Sequence, residues 1–224
     1  MTEPLTLYWI SGSPPAWRVM LTLVLKGLSY DSRRLDHAAG ENRTPEYLAL
    51  NPKGQVPTLT AGDLVIRESV AIMAWLDGAF PARPIFGADA PAAAVVWQDL
   101  VEMENDLRPA VATIAGTLLR GEIDERAVAL EAATDTAATW ADGLAARLSD
   151  APFLGGEAPM AADLWLYPSV GWIERAAAKA GGAAPARVVR LLDNRPALAA
   201  WRSRLRALPG VAATTPPHWR DPPA

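Results

Sequence analysis

The stretch NPKGQVPTLTAGDLVIRES, residues 51–69, carries two short runs of strand-forming residues, PTLT (57–60) and LVIR (64–67), on either side of Ala61-Gly62-Asp63. Apolar and β-branched residues bounded by a glycine-containing turn read as a β-hairpin. Two details add to that frame. Val56-Pro57 sets a proline at the head of the first strand, where its missing N–H costs least. Glu68-Ser69 closes the second strand and places an acidic residue and a hydroxyl where the next apolar run, SVAIMAWLDGAF, begins. Val70, Met73, Ala74 and Asp77 fall one turn apart in that run and predict a helix.

Working upstream, LTLYWI (5–10) reads as a short buried strand. SGSPPAWRVMLTLVLKG (11–27) then passes from small, polar and rigid residues into a helix whose apolar face is Trp17, Met20, Leu21, Val24 and Leu28, with Gly27 at its C-cap. LSYDSRRL (28–35) resumes as a strand, and Thr44-Pro45-Glu46 marks a helix start with proline at its first position. The order is βαβαββα. From about residue 88 the alphabet shifts to Ala, Leu, Val and Glu and strand signals end. A long helix carries Pro109 inside it and is expected to kink there. A second is expected from Asp124 to Leu148, and further helices follow, separated by Pro and Gly. The reading is a small α/β domain over residues 1–80, a linker around PARPIFGADAP, and an all-helical domain over 88–224.

Composition narrows the function. A net charge of −4 with scattered basic residues leaves no footprint for nucleic acid or an anionic membrane. The chain shows neither a secretory signal nor an apolar run approaching the ~20 residues of a membrane span, so a cytoplasmic protein is expected. With no cysteine there is no disulfide, no thiolate metal site and no thiol nucleophile of the protein's own. His37 and His218 have no ligand-like spacing around them, and no metal is expected.

NPKGQVPTL before the hairpin and RESVAIMAWLD after it, in the order βαβαββα, resemble the thioredoxin-like domain of the glutathione transferases. The helical remainder resembles their second domain, so the likeness covers nearly the whole chain. LYWISGSPPAWRV is similar to the serine-type members and aligns with the zeta class without a gap. The resemblance implies a glutathione-binding first domain, glutathione as co-substrate, a homodimer, and a catalytic hydroxyl at Ser13.

Each site residue carries two readings. Ser13 is either an N-cap serine or a hydroxyl that donates to a bound thiolate at a helix N-terminus. Ser11 competes for that role, because Gly12 lets the turn present either hydroxyl. Val56-Pro57 is either a strand-opening proline or, as the resemblance implies, a cis bond that turns the Val56 N–H and C=O toward the cysteinyl part of glutathione. Glu68 and Ser69 are either an acidic helix start with its capping serine or a receptor for the γ-glutamyl ammonium and carboxylate. Lys53, Arg43 and Gln55 are candidates for the glycyl carboxylate, with Lys53 ranked first. The electrophile's pocket is expected to draw on Ile10, Ser11, Leu107 and Val111, and the Pro-rich tail to fold over it through Trp219 or to hang loose.

Two departures from the family pattern stand out. Met160-Ala161-Ala162-Asp163 occupies the place of a Ser/Thr-x-x-Asp capping box, so a cap hydroxyl worth ~1 kcal/mol is missing. At the catalytic turn, Ser13-Pro14-Pro15-Ala16 replaces the Ser-Ser-Cys-Ser run of zeta-class sequences, which weakens an isomerase assignment. The absence of cysteine argues against thiol transfer and glutathionyl-hydroquinone reduction. The expected function is a glutathione transferase acting on a small hydrophobic electrophile. A glutathione-dependent isomerase or dehalogenase, and a non-catalytic binding module, are the alternatives.

Overall fold

The computed structural model describes residues 3–191 and 193–219, which form two compact units. One unit takes in residues 3–84 and 209–219, and the other lies within Ile85–Leu208. Residues 209–219 thus pack with the first unit.

The first unit contains β1 (Leu5–Trp9), α1 (Pro14–Lys26), β2 (Asp31–Arg34), α2 (Pro45–Leu50), β3 (Thr58–Ala61), β4 (Leu64–Arg67) and α3 (Ser69–Ala79), the βαβαββα order expected of a thioredoxin-like domain. The sheet runs β2-β1-β3-β4, with β1 parallel to β2 and antiparallel to β3, and β3 antiparallel to β4. A parallel pair needs a crossover, and α1 supplies it. Leu7 faces Leu59 across the register, and both are fully buried. Tyr8 faces Thr58, and the Tyr8 ring lies 5.9 Å from that of Tyr47 on α2. Edge strand β2 is exposed throughout and carries Asp31, Arg33 and Arg34, charges that discourage pairing with another chain.

Strand and helix faces differ from expectation in instructive places. Ile10 leaves the sheet because its C=O takes the Ser13 N–H at 3.2 Å, opening the turn into α1. Residues 28–30 stay outside β2, since the Leu28 N–H closes the end of α1 on the Leu23 C=O. α1 was expected to bury one face, yet residues 16–23 are all buried, because α3 and the segment 209–219 cover further sides. α3 buries Ile72, Met73 and Leu76. Asp77, expected on the apolar face, instead pairs with Lys26 Nζ at 2.7 Å, and that ammonium also donates to the Phe80 and Arg83 carbonyls.

The second unit contains α4 (Ala90–Glu102), α5 (Arg108–Arg120), α6 (Ala127–Asp150), α7 (Ala161–Ala180), α8 (Ala186–Val189) and α9 (Pro196–Ala207). Where a kink at Pro109 is expected, the helix changes its hydrogen-bonding pattern. A π-helical turn, Met103–Leu107, separates α4 from α5, and Pro109 sits at the second position of α5, where its missing N–H costs little. Trp165, Trp201, Met103 and Ile114 are fully buried in the helical core. Arg147 of α6 holds Asp99 of α4 through two bonds of 2.7 and 2.8 Å. The cap hydroxyl is missing at Met160, but Asp163 keeps the other half of the capping box, and the Ala161 N–H is taken by the Ile85 C=O at 2.8 Å. The Asp163 carboxylate accepts the Met160 and Leu154 N–H groups at 2.9 Å and the Trp201 indole N–H at 2.7 Å. Among the described residues no helix is long and apolar enough to cross a membrane.

Candidate glutathione site

The turn into α1 is shaped by its two prolines. Ser13 is the N-cap, in extended backbone geometry, and its Oγ accepts the Ala16 N–H at 3.4 Å. Pro14 and Pro15 take the first two helical positions and have no N–H to offer. The Trp17 N–H is taken by the Ser13 C=O at 3.0 Å. A helix start ordinarily presents several free N–H groups. Here the prolines and the cap close that set, and the Ser13 hydroxyl hydrogen is the donor left at the start of α1. The cap and donor readings of Ser13 are therefore compatible: the oxygen caps, and the hydrogen stays available.

The start of α3 is arranged the opposite way. No side chain caps it. Glu68 precedes it at φ 68°, ψ 119°, a conformation that a residue with a Cβ rarely adopts and that costs about 1–3 kcal/mol. Ser69, at its first position, is buried, and its Oγ accepts from Arg18 Nη1 of α1 at 3.5 Å. The first turn of α3 thus has no side-chain cap on its N–H groups, an arrangement suited to a carboxylate.

Between α2 and β3 the loop is held from behind through its carbonyls. Gln55 C=O accepts from Tyr47 Oη at 2.6 Å and from Asn51 Nδ2 at 2.7 Å, and Gly54 C=O accepts from Asn42 Nδ2 at 2.7 Å. Arg43 Nη1 donates to the Lys53 C=O at 3.3 Å, so this candidate serves the loop itself. Burial raises the Tyr47 phenol above its ordinary pKa, keeping it a hydroxyl donor. The Val56–Pro57 bond is cis. Lys53 Nζ reaches Glu68 Oε1 at 2.7 Å, which joins the residue assigned to the glycyl carboxylate with the one assigned to the ammonium. Both side chains are about two-thirds exposed, and pairs of that kind contribute at most ~1 kcal/mol, so each can turn to a ligand.

Ser11 is already engaged: its Oγ lies 2.7 Å from His218 Nδ1. Ile10 is half-buried beside it, and Trp219 meets Trp17 edge-on at 5.5 Å, so the described part of the tail, residues 209–219, folds onto the first unit, and its remainder lies outside the described residues. Leu107 and Val111 are 4% and 5% exposed and serve the helical core of the second unit. The sequence reading missed His218, Tyr47, Asn42 and Asn51. The last three could have been suspected as polar residues in a segment that must carry a rigid loop. His218 could not, since its partner lies 207 residues away. Among the described residues no cluster of His, Asp and Glu is placed to hold a metal ion.

The family model described as Glutathione S-transferase, N-terminal domain, matches residues 3–78. A zeta-class glutathione S-transferase of Euphorbia esula is 37% identical over 47% of each chain. A maleylacetoacetate isomerase of Pseudomonas aeruginosa is 33% identical over 75% of this chain and 81% of its own. The crystal structure of a glutathione S-transferase from the Antarctic clam Laternula elliptica superposes with a TM-score of 0.83 at 30% identity, covering 98% of this chain and 95% of that one. The zeta-class match spans about half the length of that relative, whereas the structural match spans nearly all of its counterpart. The chain belongs to the glutathione S-transferase family, a class of transferase enzymes.

Proposed function

We propose that this chain binds glutathione on its first unit, stabilises the thiolate through the Ser13 hydroxyl and joins it to a small hydrophobic electrophile. The observation that carries this reading is the contrast between the two helix starts. At α1 the prolines and the cap leave a single hydroxyl hydrogen, which suits one sulfur atom. At α3 the uncapped N–H groups and the Ser69 hydroxyl suit the γ-glutamyl carboxylate, while Glu68 meets the neighbouring ammonium. Lys53 and Gln55 stand by for the glycyl end, and Val56 beside Pro57 offers backbone pairing to the cysteinyl part.

A second reading keeps the same thiolate but lets it add to an unsaturated acid and leave again, which is isomerisation. The likeness to the Pseudomonas aeruginosa isomerase favours it, and the Pro14-Pro15 pair at the turn speaks for conjugation instead. Calorimetry with glutathione tests the shared part. Glu68→Ala and Ser69→Ala are each expected to weaken binding by about 1.5–3 kcal/mol, the range for hydrogen bonds to charged groups. Unchanged affinity in both variants would reduce the start of α3 to a structural feature. Product analysis with an electrophilic aryl halide and with a cis-unsaturated diketo acid then separates the two reactions.

A further inference from the structure

Segment 209–219 is fastened to α1 at several points. Gly210 lies so close to Val24 that a Cβ there would stand 2.7 Å from Val24 Cγ1, and Val211 is fully buried. Thr214 Oγ1 accepts from the Trp17 indole at 2.7 Å and donates to the Val211 C=O at 2.7 Å. Trp219 completes the attachment on the Trp17 ring. These anchors deliver His218 to the turn before α1. Its Nδ1 stands 2.7 Å from Ser11 Oγ, and its ring covers Gly12 so closely that a Cβ would come within 2.9 Å of Cε1 and 3.3 Å of Nε2. At φ 88° that position already favours glycine, so conformation and space impose the same residue.

A serine hydroxyl has one hydrogen to give. Ser11 and Ser13 flank Gly12, and each brings one such hydrogen to the turn. We propose that His218 is a positioning residue that tells them apart: its Nδ1 accepts the Ser11 hydrogen and withdraws Ser11 from sulfur, leaving Ser13 as the turn's free donor. With Nδ1 as acceptor, the neutral ring carries its proton on Nε2. The C-terminal segment therefore sets which serine acts at the other end of the chain. This inference rests on the thiolate role proposed for the turn.

The test titrates bound glutathione by the ultraviolet absorbance of its thiolate. Ser13→Ala is expected to raise the midpoint by ~1.5 pH units, the effect of losing one charge-assisted bond. Adding His218→Ala releases the Ser11 hydroxyl to the sulfur and is expected to bring the midpoint back by ~1 unit. Two further variants sharpen the outcome. His218→Asn keeps an acceptor in place of Nδ1 and should give no recovery, and Ser11→Ala added to the double variant should abolish recovery. The anchors at Gly210, Val211, Thr214 and Trp219 are untouched in all of them. If Ser13→Ala titrates like the parent, the thiolate reading itself is overturned. If Ser13→Ala is shifted and His218→Ala leaves that shift in place, the inference about His218 alone is overturned.

Discussion

Glu68 sits at φ 68° in front of α3, and a side chain with a Cβ pays for that backbone in strain energy of about 1–3 kcal/mol. Replacing it by glycine relieves the strain and adds roughly 0.5–1 kcal/mol of chain entropy to be lost on folding, while the exposed Lys53 pair it gives up is weak. Glu68→Gly is therefore expected to stabilise the protein by about 1 kcal/mol in urea denaturation, while binding glutathione less well. A lower midpoint would show that the residue is kept for folding rather than for ligand. The identity of this position was legible in the sequence, because an acid and a hydroxyl at a helix start form a local pattern. Its backbone conformation was not, since nothing in Arg67-Glu68-Ser69 forbids an ordinary φ. The same limit applies to His218, whose meaning depends on a fold that returns residue 218 to residue 11.

At the scale of elements, α7 begins on one buried carboxylate that ties the residues before the helix to it. Asp163 is fully buried and takes N–H groups of Met160, Leu154, Gly155 and Trp201, yet burial outweighs them and holds its carboxyl above the ordinary value. The folded state then binds the proton more tightly than the unfolded chain, whose aspartate titrates near 3.9. The stability this group contributes is full below about pH 4 and is lost as pH rises through the folded pKa. Asp163→Asn removes that titration, so the parent's stability relative to the variant is expected to fall as pH rises above about 4. Denaturation midpoints of both proteins across that range provide the check, and a difference that grows with pH would contradict it. The order of elements in the first unit followed from alternation, turn residues and caps, all of which act locally. Which faces are buried followed less well. The full burial of residues 16–23 in α1 depends on a segment about 190 residues away, and the pairing of Asp77 depends on Lys26 from another helix.

At the scale of the whole molecule, the account proposes a homodimer. Leu64 on β4 of the first unit is 44% exposed, and Val95, Trp97 and Val101 on α4 of the second are 56%, 40% and 53% exposed, so each unit carries apolar residues on its surface. A twofold arrangement would cover such a surface with its own counterpart. Light scattering at micromolar concentration should give twice the mass of one chain, and Leu64→Glu with Val101→Glu should give that of a single chain. A parent protein that scatters as one chain would contradict the proposal. The central claim concerns neither assembly nor stability, but the hydrogen that Ser13 keeps while its oxygen caps α1. A serine is too weak an acid and base to remove the thiol proton, which titrates near 8.5 when free, so its help must be a hydrogen bond to the anion. The most direct measurement is the ultraviolet titration of glutathione bound to the parent, to Ser13→Ala and to Ser11→Ala. The account predicts a midpoint about 1.5 units higher in Ser13→Ala, with Ser11→Ala close to the parent; a Ser13→Ala protein with the parent's midpoint would contradict it.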